Sequence, residues 1–186
     1  MEDNPICPPV HVSLSEFMNI GSAETIGQRP TMEDASVVGD FENGTLLGLF
    51  DGHAGRDVAT MCSENLLRVI GDELNSTSNL PEVLTQTFQK LHENVTSLYG
   101  GSTALVVVMS PNGSGGYNVI VANAGDSRMI IIPRDTTRGP MQPTNDHKCT
   151  FEPEQERVKA AGGTVIRNRV EGSLVVTRAI GDKSFK

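Results

Sequence analysis

Apolar positions along the chain recur with two periods. Short apolar, β-branched runs at 35–40, 45–50, 103–109, 117–123 and 127–132 are bounded by turn residues and predict strands. The run Thr103 to Met109 is followed by Pro111-Asn112-Gly113-Ser114-Gly115-Gly116 and then Tyr117 to Val121. That sequence predicts a hairpin, hence antiparallel pairing. Between the early and late strands the spacing changes to three and four. Val58, Cys62, Leu66, Val69, Ile70 and Leu74 mark one face of a helix from about Gly55 to Leu74. Val83, Leu84, Phe88, Leu91, Val95 and Leu98 mark a second, starting near Asn79 with Glu82 as its capping-box partner. Both stripes are wide enough to cover a sheet. A shorter helix begins at Pro153 and stops at Gly162-Gly163, with acids in its first turn and Lys159 in its last. Residues 1–19 carry Pro5, Pro8 and Pro9 and are expected to be an extension or linker. Val10, Val12 and Leu14 alternate there as a short edge strand would. Strands, a helix pair and more strands predict an α+β domain over 20–186.

Charge narrows the partners. Fifteen Lys and Arg against 23 Asp and Glu leave a net charge of −8. That balance argues against nucleic acid or an anionic membrane as partner. Cys7, Cys62 and Cys149 are an odd set with no metal-like spacing, and they predict free thiols in a reducing compartment. No secretory h-region and no membrane-length apolar run occurs, so an intracellular, cytoplasmic or nuclear protein is expected.

The chemistry starts where the run Leu46 to Phe50 ends in Asp51-Gly52-His53-Ala54-Gly55. A carboxylate at a strand end is held by the core and open to solvent. Its hard oxygens suit Mg²⁺ or Mn²⁺. His53 exchanges protons near neutral pH. A plain Asp-Gly turn with a surface His reads the same residues differently. Further blocks decide between these: Gly27-Gln28-Arg29-Pro30-Thr31-Met32-Glu33-Asp34, Ala124-Gly125-Asp126-Ser127-Arg128, Asn145-Asp146-His147-Lys148, Ala161-Gly162-Gly163-Thr164-Val165 and Arg169-Val170-Glu171-Gly172-Ser173 through Gly181-Asp182. In this order they resemble the PP2C-type (PPM) metal-dependent Ser/Thr protein phosphatases, from about Gly21 to Lys186.

The resemblance implies an α-β-β-α sandwich of two antiparallel sheets, with the two long helices as one outer pair. It also implies that the family's later Asp-Gly and Asp-Asn segments, with their metal-binding aspartates, are not in this chain. Two Mg²⁺ or Mn²⁺ ions are implied, and a third is left open. Asp51 matches the bridging ligand, with the Gly52 carbonyl on one ion. Glu33 and Asp34 match acids that act mainly through bound water. Asp126 matches an acid of the third ion, against its reading as an ordinary turn. Asp146 and Asp182 have counterparts and are read as structural or site-supporting. Arg29 is expected to grip the substrate phosphate through its planar fork. His53 is expected to protonate the leaving Ser or Thr oxygen. Arg128 and Arg178 are expected to brace acidic loops, while His11, His92 and His147 have no readable constellation. Two functions follow. One is metal-dependent hydrolysis of phosphoserine and phosphothreonine in phosphoprotein substrates. The other is a non-catalytic regulatory or adaptor module. Self-association, or pairing with the absent segment, is expected of the chain alone.

Overall fold

The computed structural model describes residues 10–14, 18–41 and 44–185. Strands β1 (Val10–Leu14) and β2 (Asn19–Ala23) form an antiparallel ribbon. Next come β3 (Asp34–Phe41) and β4 (Gly44–His53), then α1 (Asp57–Leu74) and α2 (Leu80–Asn94). After the helices lie β5 (Gly101–Ser102), β6 (Ala104–Pro111) and β7 (Tyr117–Ala124). The chain continues through α3 (Glu152–Ala160), β8 (Val165–Ile166), β9 (Arg169–Val170) and β10 (Ile180–Gly181). A 3₁₀ turn follows at Lys183–Phe185.

Six strands make one antiparallel sheet, ordered β10-β5-β4-β6-β7, with β3 also paired to β4. Successive β4 side chains point to opposite faces. Leu46 and Phe50 are fully buried in the core with Val58, Cys62, Leu66 and Val69 of α1. Burial of each is worth roughly 2–3 kcal/mol. Gly48, between them, lets α1 approach. A Cβ there would lie 2.6 Å from Leu66 Cδ2 and 2.9 Å from Val37 Cγ1. Leu47, Leu49, Asp51 and His53 belong to the other face, where Leu49 is 42% exposed. Val83, Leu84 and Leu91 of α2 complete the core.

The expected stripes of α1 and α2 are those that the sheet buries, but their ends differ. Helix α1 starts at Asp57 rather than 55, because Ala54 and Gly55 take positive φ values of 58° and 121°. Asn79 is the α2 N-cap, yet no capping box forms. Its N–H already donates to Thr77 Oγ1 at 3.2 Å, which removes the donor that Glu82 would have served. Glu82 instead accepts from Thr77 Oγ1. Helix α2 ends at Asn94, since Thr96 donates both N–H and hydroxyl to the Glu93 carbonyl. Val95 still packs in the core past the helix end. Helix α3 stops as expected, with Gly162 at φ 87°.

The expected strand 127–132 does not form. Only Ile131 pairs, in a reciprocal bridge to Met141 (2.8 and 2.9 Å). The Met129 N–H is diverted to Thr144 Oγ1. Ile130 and Ile132 stand 60% and 80% exposed. Cys62 and Cys149 are free and buried, and Cys7 lies outside the described residues. Among the described residues no helix is long and apolar enough to cross a membrane.

Two glycines separate close packing from backbone entropy. Gly48→Ala is expected to destabilise the fold by about 1–3 kcal/mol through overpacking. Gly71, inside α1 with nothing within 4 Å of a would-be Cβ, should gain about 0.5–1 kcal/mol as Ala. Urea unfolding of both variants checks the pair, and opposite signs are expected.

Candidate active site

The C-terminal end of β4 meets segments from four distant parts of the chain. The resulting cavity, about 700 Å³, is lined by Arg29, Glu33, Asp51, Gly52, His53 and Asp126, and by residues from 98–103 and 169–185 that include Asp182. Asp34 is the cross-strand partner of Asp51, so the two carboxylates project from one face as near neighbours. Of the sequence-predicted residues, only Asp146 is drawn away from this group. It accepts both Arg128 Nε (2.6 Å) and Nη2 (2.7 Å).

Asp51 is held on both flanks. Its N–H donates to Thr103 Oγ1 at 3.0 Å, and its carbonyl accepts the Thr103 N–H at 2.9 Å. The Thr103 hydroxyl also pairs with Ser127 Oγ at 2.9 Å, tying Asp51 to the loop of Asp126. Gly125 makes that approach possible, because a Cβ there would lie 2.6 Å from Thr103 Cβ. Glu33 accepts the Gly55 N–H at 3.0 Å and pins the left-handed turn after His53. Partial burial, then the charges of Asp34 and Asp126, push the Asp51 carboxyl above its ordinary pKa.

Asp126 is paired with Lys148 Nζ at 2.7 Å, and Lys148 also reaches Asp146 at 3.6 Å. Asp182 is buried, and its Oδ2 lies 2.7 Å from His53 Nε2. It therefore orients the His53 ring, a site-supporting role. Burial lowers the His53 pKa, but the hydrogen bond and charge of Asp182, with Asp51 and Glu33, outweigh it and raise the value. Gly101 closes over this pair. A Cβ there would overlap the Asp182 carboxylate and lie 2.7 Å from His53 Nε2.

Several ties were not legible in the sequence. His147 Nδ1 accepts the Gly125 N–H, and its own N–H returns to the Gly125 carbonyl. His92 Nδ1 accepts the Gly181 N–H beside Asp182. Glu154, 3% exposed, receives Arg178, Arg157 and the Thr177 hydroxyl. Arg128 and Arg178 thus brace acids as expected, but Glu154 reads in sequence only as a first-turn helix acid. Burial pushes Glu154 up, yet hydrogen bonds from Arg178, Arg157 and Thr177 prevail and hold it far below the carboxylate range.

The donor set suits a divalent cation in kind. Its atoms are hard carboxylate oxygens, and Asp51 bears a like-charge repulsion that a cation would relieve. Among the described residues no three His, Cys, Asp or Glu side chains converge as a ready-made cage.

The model of the family described as protein phosphatase 2C matches residues 18–186. The chain belongs to the protein phosphatase 2C family. It is 34% identical over 183 residues to probable protein phosphatase 1N of Homo sapiens, covering 91% of this chain and 41% of that protein. It resembles a solved Caenorhabditis elegans sex-determining protein with a TM-score of 0.75 at 26% identity, over 84% of this chain and 42% of the other. A phosphatase from Toxoplasma gondii gives a TM-score of 0.70 at 25% identity, over 86% and 63%. The chain spans about half the length of the curated relatives it matches.

The Glu154 clamp gives a pH signature. Glu154→Gln should cost about 2–4 kcal/mol, less than a fully buried pair because both guanidiniums are part-exposed. A folded pKa below the unfolded 4.5 means its stability is fully present above that pH and lost as pH falls through the folded value. Urea midpoints measured from pH 7 to pH 2 should show a shallower acid limb in the variant.

Proposed function

We propose that this protein phosphatase 2C chain carries the catalytic face of a Mg²⁺- or Mn²⁺-dependent phosphoserine/phosphothreonine protein phosphatase. The observation that supports it is the convergence of Arg29, Glu33, Asp51, His53, Asp126 and Asp182 on one cavity, from segments up to 153 positions apart (29 to 182). Asp51 and the Gly52 carbonyl would hold the cation, supported by Glu33 and Asp34, with Asp126 serving a further ion. When bound, such ions supply an activated water and a charge that balances the phosphoryl oxygens.

The chain's own residues supply the rest. Arg29 makes no side-chain hydrogen bond or ion pair among the described residues and faces the same cavity, where its charge acts on Asp51. Its planar fork can take two phosphoryl oxygens at once. His53, with Nε2 occupied by Asp182, keeps Nδ1 for the proton that a serine or threonine alkoxide needs as it leaves. Thr103 fixes the backbone of Asp51, so the acid does not swing as substrate binds. One observation favours the adaptor reading: Lys148 already neutralises Asp126. A domain that binds phosphopeptide without turning it over would bear that second reading out.

The assay uses phosphopeptide and an aryl phosphate with the complete protein. Arg29→Lys should lower kcat/KM by about tenfold or more, since charge survives but the fork does not. His53→Gln should lower kcat about 10²-fold or more on phosphoserine peptide, and far less on an aryl phosphate, whose leaving group needs no proton. Equal losses on both substrates would contradict the role given to His53.

A further inference from the structure

Three cations line the cavity: Arg29, Arg169 and Lys183. None makes an ion pair with a carboxylate among the described residues, and only Arg29 has its charge felt by one, Asp51. By contrast, the neighbouring Arg157 and Arg178 are both committed to Glu154. If Arg29 takes the phosphoryl group, as proposed above, Arg169 and Lys183 remain unassigned. The cavity is also larger than a phosphoseryl side chain needs, since pockets of about 300–1,000 Å³ hold whole drug-sized ligands. Its space and these two unassigned cations point to a second anionic group on the same substrate.

Arg169 is fixed in place. Its Nη1 donates to the Ser173 carbonyl at 2.7 Å. It follows a turn in which Arg167 and Asn168 both take positive φ, 52° and 59°. Val170 and Leu174 exchange backbone hydrogen bonds at 2.8 and 3.1 Å around Glu171, itself at φ 50°. The Glu171 carboxylate accepts the Thr164 N–H (2.7 Å) and hydroxyl (2.8 Å). Val170 packs with Cys149 and Val158. Five described non-glycine residues take positive φ. Ala54 and Asp182 line the cavity, and the other three build the hairpin that carries Arg169 to it. Strain of this kind persists where the surroundings over-determine it, and it concentrates at functional sites. A guanidinium held this way loses little entropy on meeting an anion.

We propose that Arg169 and Lys183 form a specificity subsite that takes an anionic residue, a carboxylate or a second phosphate, flanking the phosphorylated residue of the substrate peptide. This rests on the phosphatase reading of the same cavity. Charge-assisted hydrogen bonds from a preset guanidinium give affinity and direction. Lys183 adds a mobile point charge from the 3₁₀ turn after β10.

The test is fluorescence anisotropy with the 186-residue chain and peptides carrying a non-hydrolysable phosphonate in place of phosphoserine. Flanking positions are scanned as Ala, Asp or a second phosphonate. An acidic flank should bind about tenfold tighter than Ala, and the advantage should shrink as salt rises. Arg169→Gln and Lys183→Gln should each erase most of that advantage. Lys183 is exposed in a short turn, so its variant tests the subsite even if the hairpin variant unfolds. Arg29→Lys should weaken all phosphonate peptides alike. A second phosphonate that outbinds Asp identifies a neighbouring phosphate as the preferred anion, and Asp outbinding the phosphonate identifies a carboxylate. Equal affinity for Ala and acidic flanks, with the phosphonate still required, overturns the subsite and leaves the phosphatase reading standing. Binding indifferent to the phosphonate overturns both.

Discussion

The alternation of β4 decides where each group of the site stands. Leu46, Gly48 and Phe50 are locked against α1, and Gly48 admits no larger residue without displacing Leu66 or Val37. That contact fixes the register. The intervening positions must then face away from the helices, and the last of them are Asp51 and His53. A slip of one residue would turn Asp51 into the helix face and expose Phe50, at a cost of several kcal/mol for the buried charge alone. The hydrophobic core therefore places the polar centre.

A second constraint acts across the sequence. The cavity is built from segments that share no secondary structure, so polar ties hold them together. Thr103 joins Asp51 to Ser127, and His147 joins the Gly125 loop to the strand-like segment at Thr177. Glu154 draws in Arg157, Thr177 and Arg178. Each tie satisfies a polar group that burial would otherwise penalise. At the β4 end, burial and the charges of Asp34 and Asp126 raise the Asp51 pKa, and the opposing pull of His53 and Arg29 does not cancel them.

The strands β3, β4, β6 and β7 and the faces of α1 and α2 were legible because their apolar periods reflect the burial they undergo. Segment 127–132 misled for the same reason. Its consecutive isoleucines, Ile130 to Ile132, read as a buried β-branched run, but Thr144 intercepts the Met129 N–H and only Ile131 finds a partner. The Asn79 capping box failed because Thr77, outside the pattern, satisfied the same N–H first. Within the site, the motif residues Arg29, Glu33, Asp51, His53 and Asp126 were readable from their blocks. Thr103, Lys148, Glu154 and Arg169 were not, since each acts through a contact that spans 15 or more positions or through a turn whose φ values no composition reveals. The sequence marks Asp182 as structural or site-supporting but not its partner, which is the His53 ring 129 positions away.

The central claim is that the carboxylate ending β4 is the charge around which a divalent cation binds. Isothermal titration of Mn²⁺ into the chain and into Asp51→Asn tests it directly, with circular dichroism confirming that both are folded. The account predicts measurable binding to the parent and its loss in Asp51→Asn, with a smaller loss in Asp126→Asn. Binding by Asp51→Asn as tight as the parent's would contradict it.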